Sequence, residues 1–135
     1  MIVVDVNVVA YLIVAGPQTD LARRCRAAEP DWLAPPLLRC ELRNVLLGAV
    51  RQGKIPLPVA ATTFAEACAL VQFCPEPAAE GVFQSAWAAR LTSYDAEYVA
   101  VARELGLKLL TNDQQVVALC KDVAVDFRTP AAALM

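Results

Sequence analysis

The sequence predicts an α/β fold, a three-layer α/β/α sandwich around a short parallel sheet, and three observations predict it. Short apolar runs occur at Ile2–Val4, Trp32–Ala34, 107–111 and 123–127, each too short for a helix. Between them lie longer stretches in which apolar residues return every three or four positions, the period of a helix with one buried face. Strands that alternate with helices pair in parallel and carry helices on both faces. The third observation is size: 135 residues that are 58% hydrophobic suffice for one sizeable core, so 1–135 reads as a single domain.

In chain order, Ile2–Val4 is a buried strand bounded by Asp5. Asp5 or Asn7 caps a first helix through Leu12, and Gly16-Pro17 stops it. Thr19 or Asp20 caps an Arg-rich second helix that ends near Glu29, before Pro30. Trp32–Ala34 is the next strand, ended by Pro35-Pro36. Leu38, Leu42, Val45, Leu46 and Ala49 mark a long helix over 36–53, with Gly53 as its stop. Ala60, Ala61, Phe64, Ala67, Cys68 and Val71 extend a further helix over 58–73. Pro75-Glu76-Pro77 breaks the chain but is too short for a domain linker. Helices over 79–91 and 94–105 follow, then Gly106 as a C-cap and a strand over 107–111. Asp113 opens a helix to Cys120, 123–127 is the last strand, and Thr129-Pro130 starts a short terminal helix.

Composition narrows the chemistry. No apolar run reaches the roughly 18 residues of a membrane span, and the start lacks a basic segment followed by a cleavage site. Five cysteines, Cys25, Cys40, Cys68, Cys74 and Cys120, are irregularly spaced, with no Cys-x-x-Cys pair, and read as small apolar residues in a reducing compartment. The expectation is a soluble, cytoplasmic protein. The chain has no histidine. That removes serine and cysteine triads built on His, His-based metal-free ribonuclease chemistry and most zinc hydrolases. Carboxylates and a hard cation remain as tools. The net charge of −2 gives no global basic footprint for nucleic acid, although two bound divalent ions would reverse it.

Four acids sit where an apolar face is expected. Asp5 ends the first strand and Asp113 follows the 107–111 strand, at the sheet edge where ligands gather. Glu41 lies three residues after Leu38 and four before Val45, and Asp95 precedes Tyr98, Val99 and Ala102 at spacings of three, four and seven. Each also has a plain structural reading. Asp5 or Asn7 can cap a helix, Thr92-Ser93-Tyr94-Asp95 fits a capping box, Asp113 is a good N-cap, and Glu41 can be a surface residue. Capping does not prevent a carboxylate from holding a cation, and the four coincide.

The series VVDVNV, CELRNVL and SYDAEYVAVARELGLKLLTND resembles the PIN domain, most closely the VapC-like toxin ribonucleases of bacterial toxin-antitoxin pairs, in family order from Met1 to about Pro130. The resemblance implies a PIN-like sandwich whose catalytic and metal-binding acids are Asp5, Glu41, Asp95 and Asp113. Asn7 matches the small polar residue two places after the first acid, and Thr111 matches the Thr of the last motif; both are expected to stand behind the metal-binding acids and support them. Val6 departs from a position where the family often has Thr or Ser, and Arg39-Cys40 stands where a small polar residue is common. The implied activity is Mg²⁺- or Mn²⁺-dependent hydrolysis of RNA phosphodiesters, and the implied partners are RNA, a cognate antitoxin that blocks the active-site groove, and a second copy in a homodimer. Leu12, Ile13, Leu37, Leu46 and Leu47 are where an apolar interaction patch is expected. Arg23, Arg24, Arg39 and Arg43, with Arg26, Arg51 and Lys54, are the residues expected to meet phosphates unless they are ordinary solvated surface. Tyr94, Tyr98 and Trp87 either stack on bases or belong to the core.

Two other readings compete. A phosphohydrolase of the haloacid-dehalogenase kind also begins with a strand-ending Asp-x-Asp, but Asn7 stands where its second acid is needed and no tandem Asp pair follows. A PIN-like module that binds RNA or protein without cutting would not need all four acids.

Overall fold

The β-branched run Ile2–Val4 forms β1, buried at every position, and the sheet grows to either side of it. The structure is a computed structural model and describes residues 1–129; the terminal helix expected from Pro130 lies outside the described residues. The other strands are β2 (Trp32–Ala34), β3 (Val71–Phe73), β4 (Leu109–Thr111) and β5 (Ala124–Asp126). All pairings are parallel, in the order β3-β2-β1-β4-β5. The helices are α1 (Val6–Ile13), α2 (Thr19–Ala28), α3 (Leu37–Arg51), α4 (Ala60–Ala69), α5 (Ala79–Ala89), α6 (Ser93–Leu105) and α7 (Gln114–Leu119). They complete the expected α/β/α sandwich. Helix α1 packs on α2, α3 and α4, whereas α5 and α6 pair with each other and α6 lies against β1 and β4. Val3, Val4, Val8, Val9, Leu38, Leu42, Val99, Leu110 and Phe127 are buried between the layers.

The topology positions the site. From β1 the chain builds outward through β2 to β3, then returns past β1 to β4 and continues to β5. The order therefore reverses between β1 and β4. Connections diverge there to opposite sides and leave a crevice beyond the strand ends. Asp5 and Thr111 stand at that edge, directly after β1 and at the end of β4.

Several expectations change. The single helix expected over 58–73 is a 3₁₀ turn (Leu57–Val59), α4 and the edge strand β3. Val71 fits a helical period, yet Val71 and Phe73 are residues that favour a pleated surface, and β3 pairs with β2 through Trp32↔Val71 and Ala34↔Phe73. Neither Thr19 nor Asp20 caps α2, because Gln18 holds the N-cap position without a side-chain bond. The Thr19 hydroxyl instead donates to the Tyr11 carbonyl at 2.8 Å and accepts from the Gly16 N–H at 3.0 Å, tying α1 to the start of α2. Strand β4 begins at Leu109 rather than 107, since the Leu107 N–H turns back to the Ala102 carbonyl to close α6 behind Gly106, at φ +66°. Of the expected apolar patch, Leu46 is buried and Leu12, Ile13 and Leu37 pack on the core, which leaves only Leu47 exposed. The cysteines are all free; Cys25 and Cys120 are buried, Cys68 and Cys74 partly so, and Cys40 is exposed.

Candidate active site

Asp5 is held on both carboxylate oxygens. As N-cap of α1 its Oδ1 accepts from the Val8 N–H at 3.0 Å, and its Oδ2 accepts from the Thr111 hydroxyl at 2.5 Å. Thr111 is buried, and its Oγ1 also accepts from the Asp113 N–H at 3.0 Å. One hydroxyl thus joins the acid after β1 to the backbone of the acid after β4. Asp113 in turn caps α7, its Oδ1 accepting from the N–H groups of Gln115 (2.9 Å) and Val116 (3.2 Å).

Asp95 lies in the first turn of α6, where its N–H donates to the Thr92 hydroxyl at 3.2 Å. The reciprocal bond of a capping box, from the Thr92 N–H to the Asp95 carboxylate, is not made among the described residues, so that carboxylate is free to face the crevice. Asp5, Asp95 and Asp113 all sit at helix N-termini, whose partial positive charge favours an anion. Glu41 comes from the middle of α3 and accepts a 2.6 Å hydrogen bond from the hydroxyl of buried Tyr98.

These side chains meet in one cavity of about 100 Å³, lined by Asp5, Asn7, Glu41, Asp95, Tyr98, Thr111 and Asp113 with Val6, Leu109 and Val116. No lysine or arginine lines it. Burial pushes the Asp5 carboxyl above its ordinary value, against the pull of Thr111 and the Val8 amide. Burial also raises Glu41; the Tyr98 bond opposes the rise, and the Asp95 and Asp5 charges add to it. Asp95 is raised by burial and then by Asp113, with Thr92 opposing. Carboxylates that raise one another in this way lack a counter-charge. Among the described residues, no three acidic or thiol side chains are already gathered into a metal-holding cluster. The donor set still fits a hard cation: it is all oxygen, anionic and open on one side, and Mg²⁺ binds through one or two carboxylates while keeping water ligands.

The arginines expected to meet phosphates do not line this cavity. Arg23 pairs with Asp20, and Arg24 is exposed on α2. Arg26 donates to the Leu70 carbonyl and lies over Trp32, while Arg39 and Arg43 lie over Phe73 and Phe64, with 3.6 Å between Arg39 and its ring centroid. Lys54 borders a neighbouring apolar pocket of about 370 Å³ between α1 and α3, which Asn7 shares with the acid cavity. Tyr98 is the site residue that the spacing did not assign. It stands three residues after Asp95, on the same face of α6, which was the available signal.

The family model for the PIN domain matches residues 2–122. Two solved structures share the fold. Pyrobaculum aerophilum PAE2754 is 24% identical, with TM-score 0.76 over 98% of this chain and 87% of that one. Mycobacterium tuberculosis VapC20, a sarcin-ricin loop cleaving toxin, is 18% identical, with TM-score 0.63 over 88% of this chain and 96% of that one. At these identities the likeness is one of fold. No curated protein matches the sequence.

Proposed function

The chain belongs to the PIN-domain family, and from that premise we propose that it is a metal-dependent endoribonuclease acting as the toxin of a toxin-antitoxin pair. PIN domains are generally nucleases. The observation that carries the reading is the convergence of Asp5, Glu41, Asp95 and Asp113, from four separate elements, on one cavity that no lysine or arginine lines. The fold likeness to a sarcin-ricin loop cleaving toxin supports the toxin role. A cognate antitoxin, a homodimer and a cytoplasmic setting belong to the same reading.

Mg²⁺ or Mn²⁺ bound by these four acids would supply charge neutralisation and water activation at a scissile phosphate. The residues themselves account for the rest. Val8 and Thr111 fix Asp5 in orientation, one on each carboxylate oxygen. Thr111 also holds the start of α7, so Asp5 and Asp113 keep a set separation. Hydrolysis requires the attacking water to lose a proton, and a carboxylate of this cavity that is left within reach of that water can take it. Tyr98 keeps Glu41 pointed into the cavity.

The test is cleavage of RNA with added Mg²⁺ or Mn²⁺. EDTA should abolish it, and Asp5→Asn or Asp95→Asn should slow it by about 10²-fold or more. Cleavage that survives in EDTA, or in both variants, overturns the reading. Induced expression should arrest growth only while Asp5 is intact, and arrest by the Asp5→Asn protein would remove the toxin role from the nuclease.

A further inference from the structure

Asp95 and Asp113 come to the acid cavity from two different turns: the corner at 90–92, between α5 and α6, and the turn between β4 and α7. The second turn is tied to the α1 side of the site. Thr111 bonds Asp5, and the Asn112 side-chain amide donates to the Tyr11 hydroxyl at 3.1 Å. The corner is where the backbone is strained. Arg90 closes α5 in the left-handed conformation at φ +54°, where the other positive-φ residues described are glycines. An arginine is costly at such a position, and strain of this kind persists only where neighbouring groups hold the backbone.

Gln115 supplies that hold. Its side-chain amide donates to the carbonyls of Ala89 (3.3 Å) and Arg90 (3.2 Å). The last carbonyls of a helix have no donor within it, so the amide meets an otherwise open need. The Gln115 N–H meanwhile donates to the Asp113 carboxylate at 2.9 Å. One residue thus touches Asp113 and also grips the backbone two positions before Thr92, whose hydroxyl caps the helix that carries Asp95. No other hydrogen bond joins the β4–α7 turn or α7 to this corner among the described residues.

We propose that Gln115 is a positioning residue for the cation site: by holding the α5–α6 corner against the β4–α7 turn, it fixes the separation of Asp95 and Asp113 so that both carboxylates reach one bound ion. The proposal rests on the reading of this cavity as a metal-dependent ribonuclease site. Small hard cations demand near-ideal placement of their oxygen ligands, so a corner that drifts takes Asp95 out of reach. Gln115 does not line the cavity. Its effect passes through the backbone to Asp95 and through its N–H to Asp113, in the way that groups behind metal-binding side chains set their orientation.

Gln115→Met is the direct test, because it keeps the side-chain length and the N–H that bonds Asp113 and removes only the amide. Mn²⁺ titrated into the protein and followed by calorimetry should bind this variant about tenfold more weakly. At a temperature where both proteins are folded, RNA cleavage should lose kcat with KM retained. Arg90→Gly separates positioning from plain stabilisation, since glycine relieves the left-handed strain. Added to Gln115→Met, it should raise Tm and leave Mn²⁺ binding weak. Restoration of Mn²⁺ affinity together with Tm overturns the proposal, as does a Gln115→Met protein with wild-type Mn²⁺ affinity. A wild-type protein that binds Mn²⁺ but cuts no RNA fails the ribonuclease reading, while the dependence of Mn²⁺ affinity on Gln115 still decides the positioning role. A wild-type protein that binds no Mn²⁺ fails both.

Discussion

Tyr98 donates to Glu41 at 2.6 Å from a ring that is only 3% exposed, and burial together with the Glu41 charge holds its phenol far above the usual range. It is therefore a donor at any working pH, and it favours the charged form of Glu41. Tyr98→Phe should destabilise the protein by about 1–2 kcal/mol, the range for a hydrogen bond to a charged group with a half-buried acceptor left behind. Removing the bond also lets the Glu41 carboxyl rise further, so the loss should be larger at pH 8 than at pH 5. Urea unfolding at the two pH values checks this, and an equal loss at both would separate Tyr98 from the Glu41 charge. Thr111 plays the matching role for Asp5. That the four acids share one cavity was legible, Glu41 and Asp95 from their spacing against apolar neighbours and Asp5 and Asp113 from their places at strand ends. Thr111 was legible as a supporting residue of the last motif, but its bond to Asp5, 106 residues away, was not, and neither was the pairing of Tyr98 with Glu41 across 57 residues.

At the scale of the element, helix starts do double work: Asp5 and Asp113 cap their helices while lining the cavity. Capping a helix and lining the cavity thus go together in one side chain. Helix ends show the other side of backbone chemistry. Gly106 sits at φ +66° with open space where a Cβ would stand, so Gly106→Ala carries only the left-handed penalty. It should cost about 1 kcal/mol in thermal unfolding; a neutral Gly106→Ala would contradict the assigned C-cap. Strand β3 shows the limit of periodicity. Val71 continues the three-to-four spacing of α4, and only pairing with β2 makes it a strand. The exposed aromatics Phe83 and Trp87 likewise belong to α5, whereas Leu12, Ile13, Leu37 and Leu46 of the expected patch pack on the core and leave only Leu47 exposed.

For the whole molecule, the reversal of strand order between β1 and β4 concentrates negative charge at one edge, and stability must reflect it. Asp5, Glu41 and Asp95 have folded carboxyls raised above their ordinary 3.8 and 4.5. Between the ordinary and raised values the folded chain binds more protons than the unfolded one, so its stability falls as pH rises through that window. Asp122 and Asp126, lowered by Arg103 and Arg128, act oppositely, but their contribution is lost only as pH falls below about 3.8. In EDTA the protein should therefore melt at a higher temperature at pH 5 than at pH 8. Mg²⁺ or Mn²⁺ at pH 8 should recover stability, by about 1.4 kcal/mol at ten times the dissociation constant. Asp5→Asn and Asp95→Asn should lose that metal-induced rise in Tm. A metal-free Tm that climbs from pH 5 to pH 8, or one that ignores both metals in the wild-type protein, would contradict the placement of these charges.

The sequence by itself determined the α/β alternation, the strand β1, the long helix α3 and the four acids, because period, caps and a misplaced charge are local properties that residues a few positions apart reveal. The tertiary structure alone decided that 71–73 is a strand, that Tyr98 holds Glu41, and that the one Thr111 hydroxyl joins Asp5 to the Asp113 amide. Each of those depends on which distant surface packs against a residue, and no spacing along the chain encodes that.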